Sequence, residues 1–428
     1  MSTYNMRHLY SFLLFLLSPL LLAYLYLKEH ARNREPGFLQ RLGFVKLQTD
    51  IWIHAASVGE VKAACILIKE FQKNYPKFKI AISAMTCTGR AEVRRQLGTD
   101  FAHFYFGLDL SFIWRNIISH MRPKLLIILE QEIWPNLIHI CQESKVKTYL
   151  MNAKYSESSL KNRLPFNFLF INSYLQLDFI GTQTQKDESY FLKLGVEQAK
   201  CQYVGNIKFD LELSELVRVK AKDIRKTIGM NRPVWIAGST HDGEEEIIFA
   251  GHRELKKKYP NIFLVIFPRH PKRFENVRRQ AQQLGFNILL RSAKPALVPA
   301  DTDVLIGDTM GELSIFYGAA DVAFIGGSLV PFGGHNLLEA AVVGTPAITG
   351  EFASNFTEII DMAVGAGYAA IAKNTAELIA QVSCLLDSKE LRDRAKQAGY
   401  GLINKNKGVV AVNIQTVLCL LRQGQDSH

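Results

Sequence analysis

The sequence predicts an α/β protein built from two doubly wound parallel-sheet halves that face a crevice, preceded by an N-terminal membrane-anchor helix. Three observations carry this prediction. Short apolar strand candidates alternate with helical segments, the alternation breaks once at a charged segment and restarts, and a long charge-free apolar stretch comes first. The length of 428 residues suffices for two ordinary domains, and the apolar fraction of 48% suffices for their cores.

The charge-free stretch spans residues 9–27 and consists mainly of leucine and phenylalanine. As a helix this stretch would extend about 28 Å, close to the ~30 Å hydrocarbon core of a bilayer. A cleavable signal peptide is the alternative, but its apolar region should be shorter and a small-residue cleavage site should follow it. We therefore interpret residues 1–34 as a membrane anchor with a basic flank.

The charges around this stretch indicate its orientation. Arg7 precedes it, whereas Lys28, Arg32 and Arg34 follow it. Because the more basic flank of a membrane helix tends to stay in the cytoplasm, the globular part is expected on the cytoplasmic side. Pro19 could kink the helix, so an interfacial anchor that does not fully span the membrane stays open as an alternative.

The next part of the chain alternates strand and helix signals, which is typical of a parallel, doubly wound sheet. The strand candidates are short apolar runs rich in β-branched and aromatic residues. They lie at 51–55, 79–84, 124–129, 147–151, 179–182 and 201–204. We assign residues 35–218 to this first Rossmann-like domain.

A charged, weakly apolar segment, 212–232, separates the two alternating regions and predicts a linker at 219–232. The alternation restarts after Pro233. The second set of strand candidates lies at 234–237, 263–267, 287–290, 304–306, 322–325 and 347–349. We assign 233–404 to a second Rossmann-like domain and 405–428 to a C-terminal segment with a helix at 409–421.

Charge and cysteine usage narrow the functional classes. The net charge of +11, from 51 basic and 40 acidic residues, favours anionic partners. The chain has no RNA-binding signature or long lysine-arginine block, so a membrane surface and a phosphorylated substrate rank above nucleic acid. Its six cysteines show no CxxC spacing, which favours buried reduced thiols over disulfides or a zinc site.

Glu60 is the first candidate catalytic residue. It follows the strand candidate at 51–55 and a small-residue loop, and it precedes a helical stretch. A carboxylate in this position faces the crevice at the carboxyl ends of the strands, where open α/β sheets bind ligands. It could serve there as a general base that removes a hydroxyl proton. The alternative is that Glu60 only caps the helix N-terminus.

Two further groups in the first half carry charge near strand ends. Glu130 and Glu132 follow the strand candidate at 124–129, and two carboxylates this close raise each other's pKa if they are buried. The alternative is that one of them is a structural partner for a lysine. Lys208 lies near the domain junction, where a cation can stabilise an anionic ligand.

The second half carries signals for nucleotide binding. Glycines at 326–327 and 333–334 follow a strand and precede a helix, which lets phosphate approach backbone N–H groups. Arg269 also follows a strand and can bind phosphate through two N–H groups, although a surface salt bridge is the alternative. The polar turn 239–241 faces the crevice or merely caps a helix. The DxD string at 301–303 lies in a loop before a strand, and we interpret it as a loop and not as a metal site.

Six sequence blocks, in order along nearly the whole chain, resemble those of the lipopolysaccharide Kdo transferases. These are inverting glycosyltransferases of the GT-B fold that move 3-deoxy-D-manno-octulosonic acid (Kdo) from its CMP ester to a lipid A precursor. The blocks are 54–60 (HAASVGE), 130–136 (EQEIWPN), 205–210 (GNIKFD), 267–271 (FPRHP), 307–313 (GDTMGEL) and 332–336 (FGGHN).

The resemblance implies a set of roles. Glu60 would be the base, and Glu130 and Lys208 would assist the transition state, with no metal and no cofactor. The residues implied in CMP binding are Pro268, Arg269, Thr309, Met310, Gly311, His335, Asn336, Leu337, Leu338 and Glu339. It also implies that the C-terminal helix returns to the first domain. Gln131, Lys154 and the pair Glu351–Phe352 depart from the family pattern, which puts any role of Lys154 or Phe352 in doubt.

The implied partners are the CMP-Kdo donor, a lipid A precursor (tetraacyldisaccharide 1,4′-bisphosphate) and the inner membrane surface, with the catalytic domains on the cytoplasmic side. The basic-aromatic segment 159–177 is either a membrane-facing lip or a helix buried in the first domain. Two other functional classes stay open. One is another GT-B nucleotide-sugar transferase or an epimerase, and the other is a membrane-bound nucleotide-binding protein without turnover.

Overall fold

The computed structural model describes residues 3–30, 37–155, 166–211 and 214–423. It divides the chain into two compact units. The first unit comprises Met1–Asp210 and Gly408–His428, and the second comprises Leu211–Lys407. Each unit is built around one parallel sheet, so the predicted α/β class with two Rossmann-like sheets is confirmed.

The sheet of the first unit has the strand order β3-β2-β1-β4-β5-β6-β7, and all neighbours are parallel. The strands are β1 (Ile51–His54), β2 (Ile80–Ala84), β3 (His103–Tyr105), β4 (Leu125–Leu129), β5 (Lys147–Ala153), β6 (Phe179–Thr182) and β7 (Cys201–Tyr203). Every residue of β1, β2 and β4 is buried. Helices cover such a parallel sheet on both faces, which is why its strands are continuous apolar runs without alternation.

The helices of the first unit up to residue 193 mostly follow individual strands. They are α1 (Thr3–His30), α2 (Phe38–Arg41), α3 (Val58–Asn74), α4 (Cys87–Leu97), α5 (Ser111–Met121), α6 (Pro135–Glu143), α7 (Asn167–Leu175) and α8 (Gln185–Lys193). Most of the segment 159–177 named in the sequence analysis either lies outside the described residues or belongs to α7. In α7, Leu169 and Tyr174 are buried, while Phe168 is exposed.

The second unit repeats the same architecture with the strand order β10-β11-β9-β8-β12-β13-β14, again all parallel. Its strands are β8 (Val234–Thr240), β9 (Phe263–Pro268), β10 (Ile288–Leu290), β11 (Val304–Ile306), β12 (Val322–Ile325), β13 (Ala347–Thr349) and β14 (Ala369–Ile371). The strand candidates of the sequence analysis are all present. β3 and β14 are additional strands at the sheet edges that were not among the candidates, and β14 is neither strongly apolar nor fully buried.

The helices of the second unit begin inside the segment that the sequence analysis assigned to the end of the first domain and to a linker. They are α9 (Glu215–Ile228), α10 (Glu244–Lys258), α11 (Phe274–Gln283), α12 (Leu313–Ala319), α13 (Leu338–Val343), α14 (Thr357–Gly365), α15 (Thr375–Asp387) and α16 (Lys389–Asn406). The expected linker, 219–232, is thus mostly helix α9, which buries Ala221 and Ile228 beneath its charged face. The chain then returns to the first unit through α17 (Val409–Gln423), whose buried face includes Val417 and Leu421.

Helix α1 contains a span, Met6–Leu27, that is long and apolar enough to cross a membrane, with a mean hydropathy of 1.9 and only 6% of it buried. Its first turns nevertheless contact the globular part of the first unit. Ser11 Oγ lies 3.1 Å from Asn136 Oδ1, and the Tyr10 ring packs edge-on against Phe166. The predicted N-terminal apolar helix is therefore present, and its N-terminal part docks on its own domain.

The strand order places one switch point in each sheet. In the first unit β1 lies between β2 and β4. The chain therefore continues from β1 toward one edge of the sheet and from β4 toward the other edge. In the second unit β8 lies between β9 and β12. Because ligands of open α/β sheets bind at such points, beyond the carboxyl ends of the strands, the loops after β1, β4, β8 and β12 are the first places to look for a site.

Candidate active site

Glu60 lies in the first turn of α3, directly after β1. Ser57 is the N-cap of this helix, and its Oγ accepts a hydrogen bond from the Glu60 backbone N–H at 3.2 Å. In return, the Ser57 hydroxyl donates to Glu60 Oε1 at 2.8 Å, and the Ala56 backbone N–H donates to Glu60 Oε2 at 2.8 Å. The Ser57 bond to the Glu60 N–H is one half of a capping box, whereas the carboxylate bonds to the N–H of Ala56, one residue before the N-cap. The helix-capping alternative is therefore real, and it also holds the carboxylate in one fixed orientation.

The environment of Glu60 changes its acidity. The residue is only 8% exposed. Burial, as the largest cause, and the Glu130 carboxylate together raise the pKa of Glu60 to about 7, against the lowering effect of the hydrogen bonds from Ala56 and Ser57. A carboxylate with a pKa near neutral pH can accept a proton efficiently from a hydroxyl group. Glu60 thus has both the fixed geometry and the acidity of a general base.

Glu130 follows β4, which pairs with β1 across the switch point. Its backbone adopts the left-handed conformation with φ of 56°. This conformation is costly for a residue with a side chain and occurs at functional sites where the surroundings enforce it. The Lys208 ammonium donates to Glu130 Oε1 at 2.9 Å, and both side chains are only about one-fifth to one-quarter exposed, at 19% and 25%. The sequence left open that Glu130 or Glu132 pairs with a lysine. In the structure Glu130 makes this pair, and its partner is Lys208.

Sequence reasoning did not identify the buried amides that support Lys208. Asn206 Oδ1 accepts from the Lys208 backbone N–H at 3.1 Å, and Asn206 Nδ2 donates to Gln183 Oε1 at 2.8 Å. Asn152, which also has a positive φ of 56°, accepts from the Ile207 backbone N–H at 3.0 Å. Asn206, two residues before Lys208 in the block 205–210, was the available signal, whereas Asn152 lies inside β5. These bonds fix the backbone from which the ammonium projects.

His54, at the start of the first sequence block, is a core residue. Its ring is fully buried and stacks on Phe106 with ring centroids 3.7 Å apart, and its Nδ1 lies 3.0 Å from Ser83 Oγ. Burial lowers the pKa of His54 to about 3, so it stays neutral in the physiological range. Its contribution to the block is structural.

In the second unit, His241 and His335 form a close pair at the switch point between β8 and β12. Their Nε2 atoms lie 3.0 Å apart, and the Phe332 ring stacks on His241 at 4.2 Å. Burial lowers the pKa of His241 to about 4, with help from the nearby His270 and two arginines. At neutral pH this imidazole is uncharged. His241 was interpreted as facing the crevice or as a capping residue, and its ring contacts the ring of His335.

The glycine-rich turn after β12 differs from the expectation that its N–H groups lie open for phosphate. The backbone N–H groups of Gly327, Ser328 and Leu329 donate to the Glu244 carboxylate at 2.7, 2.9 and 2.9 Å. Glu244 is fully buried at the start of α10. The protein's own carboxylate therefore occupies the anion-binding position of this turn.

The remaining CMP candidates lie at the ends of neighbouring strands. Pro268 ends β9, and the N–H of the half-buried Arg269 donates to the Thr240 carbonyl at 2.9 Å. Asn336 Oδ1 accepts from the Leu338 N–H at 3.0 Å. Leu337 and Leu338 are fully buried, and the half-buried Glu339 lies in the first turn of α13. Leu337 and Leu338 can therefore contribute to ligand binding only through their backbone.

The turn with Thr309, Met310 and Gly311 follows β11 and presents a largely exposed Met310 side chain (60%). Gly311 has a φ of 84°, which a glycine adopts without strain. Glu312 fixes this turn, because it accepts a hydrogen bond from the Thr309 hydroxyl and pairs with Arg291 through both of its oxygens, at 2.8 and 3.1 Å. Sequence reasoning missed Arg291 because it lies on the neighbouring strand-end loop.

Metal binding finds no support in these contacts. Across the four described ranges, no group of three or more histidine, cysteine, aspartate or glutamate side chains could hold a metal ion. In the DxD string, Asp303 pairs with Lys256 and accepts from the Asn287 backbone N–H at 3.0 Å. All six cysteines are free thiols.

Comparison with known proteins agrees with this arrangement. Residues 36–211 match the family described as 3-deoxy-D-manno-octulosonic-acid transferase, and residues 231–402 match the family of group 1 glycosyl transferases. Among solved structures, a UDP-GlcNAc 2-epimerase from Neisseria meningitidis superimposes with a TM-score of 0.56 over 86% of this chain and 99% of its own, at 16% identity. That likeness supports the predicted GT-B fold and carries no information about the substrate.

Relatives with higher sequence identity specify the family. The chain is 37% identical to a 3-deoxy-D-manno-octulosonic acid transferase of Haemophilus influenzae over 426 residues, which cover 97% of this chain and 98% of the relative. It is 32% identical to the Bordetella pertussis enzyme of the same name, over 76% of each chain. At this identity and coverage, the chain belongs to the 3-deoxy-D-manno-octulosonic acid transferase family.

Proposed function

We propose that the protein transfers Kdo from CMP-Kdo to a lipid A precursor, tetraacyldisaccharide 1,4′-bisphosphate, with inversion at the anomeric carbon. The observation that carries this proposal is the Glu60 carboxylate, held by two hydrogen bonds at the switch point of the first sheet with a pKa raised to about 7. Membership of the Kdo transferase family supports the sugar that is transferred.

The proposed reaction is a direct displacement. Glu60 removes the proton from a sugar hydroxyl of the acceptor as that oxygen forms a bond to the anomeric carbon of the donor. The bond from this carbon to the CMP phosphate oxygen breaks, and CMP leaves from the opposite face with the bonding electrons. Charge builds on the phosphate as the bond breaks, so cations and oriented dipoles that face it lower the barrier.

Lys208 and Glu130 form the second element of the mechanism. The ammonium can stabilise the sugar carboxylate or the departing phosphate, and Glu130 keeps it in place through the 2.9 Å ion pair. Because Glu130 also raises the pKa of Glu60, the same carboxylate tunes the base. We assign Glu60, Glu130 and Lys208 as the catalytic residues on this basis.

We place donor binding in the second domain, 233–404, and acceptor binding in the first, 35–218. Arg269 and the His335–Glu339 segment would hold the CMP phosphate and ribose, and the Thr309–Gly311 turn would hold the base. An exposed thioether such as that of Met310 offers a flat cytosine ring a polarisable contact. The residues that depart from the family pattern, Lys154 and Phe352, receive no role.

The membrane provides the acceptor in this proposal. The apolar span in α1 would hold the protein at the inner membrane, and the net charge of +11 would favour an anionic, phosphorylated lipid. The more basic flank after the span places the globular units on the cytoplasmic side.

A second function remains a candidate because the fold is shared with epimerases that use UDP-sugars. Donor competition separates the two. A Kdo transferase is expected to bind CMP in preference to UDP, whereas preferential binding of UDP would favour the epimerase or another GT-B transferase.

The decisive experiment is transfer of Kdo from CMP-Kdo, generated in the assay, to the tetraacylated lipid A precursor with chelator present throughout. We expect turnover by the parent, loss of turnover in Glu60→Ala with CMP still bound, and no effect of the chelator. The matched control is Glu70→Ala, a glutamate in the same helix whose side chain is 42% exposed and whose loss should leave turnover unchanged. Activity in Glu60→Ala equal to that of the parent would remove the proposed base.

A further inference from the structure

Glu244 is the feature of the second unit that the proposed mechanism does not use. Its fully buried carboxylate accepts four backbone hydrogen bonds, three from the glycine-rich turn and one from the His241 N–H at 2.9 Å. A carboxylate in such a concavity of N–H groups takes the place that a bound phosphate has in other nucleotide sites. The backbone N–H groups of residues 327–329 all donate to Glu244 over short distances. None of these three N–H groups is therefore left for an external anion.

The contacts of Glu244 lead directly to His335. Glu244 Oε2 accepts from both the His241 and the Gly327 N–H groups, so it joins the loop after β8 to the loop after β12. The His241 ring then contacts His335 through their Nε2 atoms. On the other side, the Gly334 N–H donates to the Gly327 carbonyl at 2.6 Å. His335 thus contacts the His241 ring and follows Gly334, which bonds to Gly327. Glu244 accepts hydrogen bonds from the backbone N–H groups of both His241 and Gly327.

Gly327 is the residue at which the glycine-rich turn contacts the rings of His241 and His335. Its φ is 70°, and a Cβ atom added there would lie 3.1 Å from Cδ2 of His335 and 3.3 Å from Cδ2 of His241. The two imidazole rings therefore pack against the α-carbon of the residue whose N–H Glu244 accepts. A shift of the turn by a few tenths of an ångström would move the rings directly.

We propose that Glu244 is a positioning residue for nucleotide binding: its carboxylate fills the backbone concavity of the glycine-rich turn and thereby fixes the His241–His335 pair toward the donor phosphate. This inference rests on the proposed function, since it takes His335 as part of the CMP site. It assigns the phosphate to the imidazole pair and not to the N–H groups of the turn.

The first test measures hydrogen–deuterium exchange in the parent protein without nucleotide. If the carboxylate accepts their hydrogen bonds, the amides of Gly327, Ser328 and Leu329 are protected in the absence of CMP, and CMP adds little to that protection. Amides that exchange as freely as those of an open loop would overturn the inference. So would protection that appears only with CMP, because the phosphate would then be taking their N–H groups.

The second test removes the carboxylate and measures CMP binding by calorimetry. Glu244→Ala is expected to bind CMP about tenfold more weakly or worse, because four buried N–H groups lose their acceptor. Acetate can enter the vacated space and restore part of the affinity, whereas acetamide, its neutral analogue of similar shape, cannot. The matched control is Glu246→Ala, an exposed glutamate in the same turn of α10, which should bind CMP like the parent.

The outcomes separate the two proposals. If the parent binds no CMP, the proposed function fails, while the exchange experiment still decides the role of Glu244. If the parent binds CMP and Glu244→Ala binds it equally well, only the inference fails. Should Glu244→Ala not fold, as circular dichroism would show, Glu244→Gln keeps the side-chain shape and leaves one oxygen as acceptor. Unchanged CMP affinity in that variant would equally overturn the inference.

Discussion

Ser57 and Glu60 exchange two hydrogen bonds: the Ser57 Oγ accepts from the Glu60 backbone N–H, and its hydroxyl donates to Glu60 Oε1 at 2.8 Å. The same serine therefore caps α3 and lowers the pKa of the proposed base. A helix cap and a catalytic group usually have separate supports. Here one side chain serves both, so Ser57→Ala changes both at once and a cap variant elsewhere in the chain is needed to separate the two effects.

Ser57→Ala should shift the pH dependence of transfer. The variant loses a hydrogen bond to the charged form of Glu60, so the Glu60 pKa rises above about 7 and a larger fraction of the base is protonated at a given pH. The acidic limb of the kcat/KM profile is expected to move to higher pH, with the largest loss of activity below neutrality.

The control for this shift is Asn374→Ala, which removes the N-cap of α15 in the second unit. Both variants should lose about 1 kcal/mol of stability through the missing cap. Only Ser57→Ala should move the acidic limb. An equal profile for the two variants would show that Ser57 does not act on the base.

Glu130→Gln should move the same limb in the opposite direction. Removing this negative charge takes away a cause that raises the Glu60 pKa, so the base stays deprotonated to lower pH. The maximal rate should fall at the same time, because Lys208 loses the ionised partner that positions it at 2.9 Å. The measurement is the pH profile of kcat/KM together with kcat at its plateau.

Glu132→Gln provides a graded control for Glu130→Gln. Glu132 raises the Glu60 pKa less than Glu130 does. The acidic limb of the Glu132→Gln profile should therefore move in the same direction as that of Glu130→Gln but by a smaller amount. A larger shift in Glu132→Gln than in Glu130→Gln would contradict the assignment of Glu130 as the tuning carboxylate.

Glu312→Gln tests the proposed base-binding turn. The amide cannot accept through both positions, so the two-point pairing with Arg291 and the bond from Thr309 cannot both be kept. We expect CMP to bind about tenfold more weakly, since a charge-assisted hydrogen bond contributes about 1.5–3 kcal/mol. Glu275→Gln, which breaks an exposed pair with Arg278, should leave CMP affinity unchanged. Equal affinities in the two variants would count against a role for the turn.

Ser11→Ala tests the docking of the N-terminal helix. Ser11 donates within its own helix to the Arg7 carbonyl at 2.8 Å, and its Oγ accepts from Asn136 Nδ2 at 3.0 Å across the interface. Losing the interhelical bond should lower stability by about 1 kcal/mol, measured as thermal unfolding in detergent. Ser18→Ala, whose hydroxyl bonds only to the Phe15 carbonyl in α1, should cost less. A reversed order would indicate that α1 does not dock through Ser11.

Local sequence was sufficient to predict most of the strands and to make Glu60 a candidate, while the choice between a base and a helix cap came from the family resemblance. Buried parallel strands such as β4 are uninterrupted apolar runs, and Glu60 is recognisable because a strand, a short loop and a helix follow each other within a few residues. The two strands that were not predicted, β3 and β14, lie at the edges of their sheets, and β14 (Ala369–Ile371) begins with two alanines, which are depleted in strands.

The features that could not be predicted all depend on contacts between distant residues. Lys208 and Glu130 are 78 positions apart, and no local pattern states that they pair. The same holds for the hydrogen bonds of Glu244 to a turn more than 80 positions away, which changed the interpretation of the glycines from an open phosphate site to a filled one. Burial, which raises the pKa of Glu60, is likewise a property of the folded chain alone.

One carboxylate marks both places where the chain passes between the two units. Asp210, the last residue of the first segment of the first unit, accepts from the Gly408 N–H at 2.7 Å and from the Val410 N–H at 2.5 Å. The second unit is thus an insertion into the first, and the Asp210 carboxylate connects the point where the chain leaves the first unit to the point where it returns. A ribosome delivers the whole of this insertion before it delivers α17, so the unit that begins first along the chain is the last to acquire all of its core.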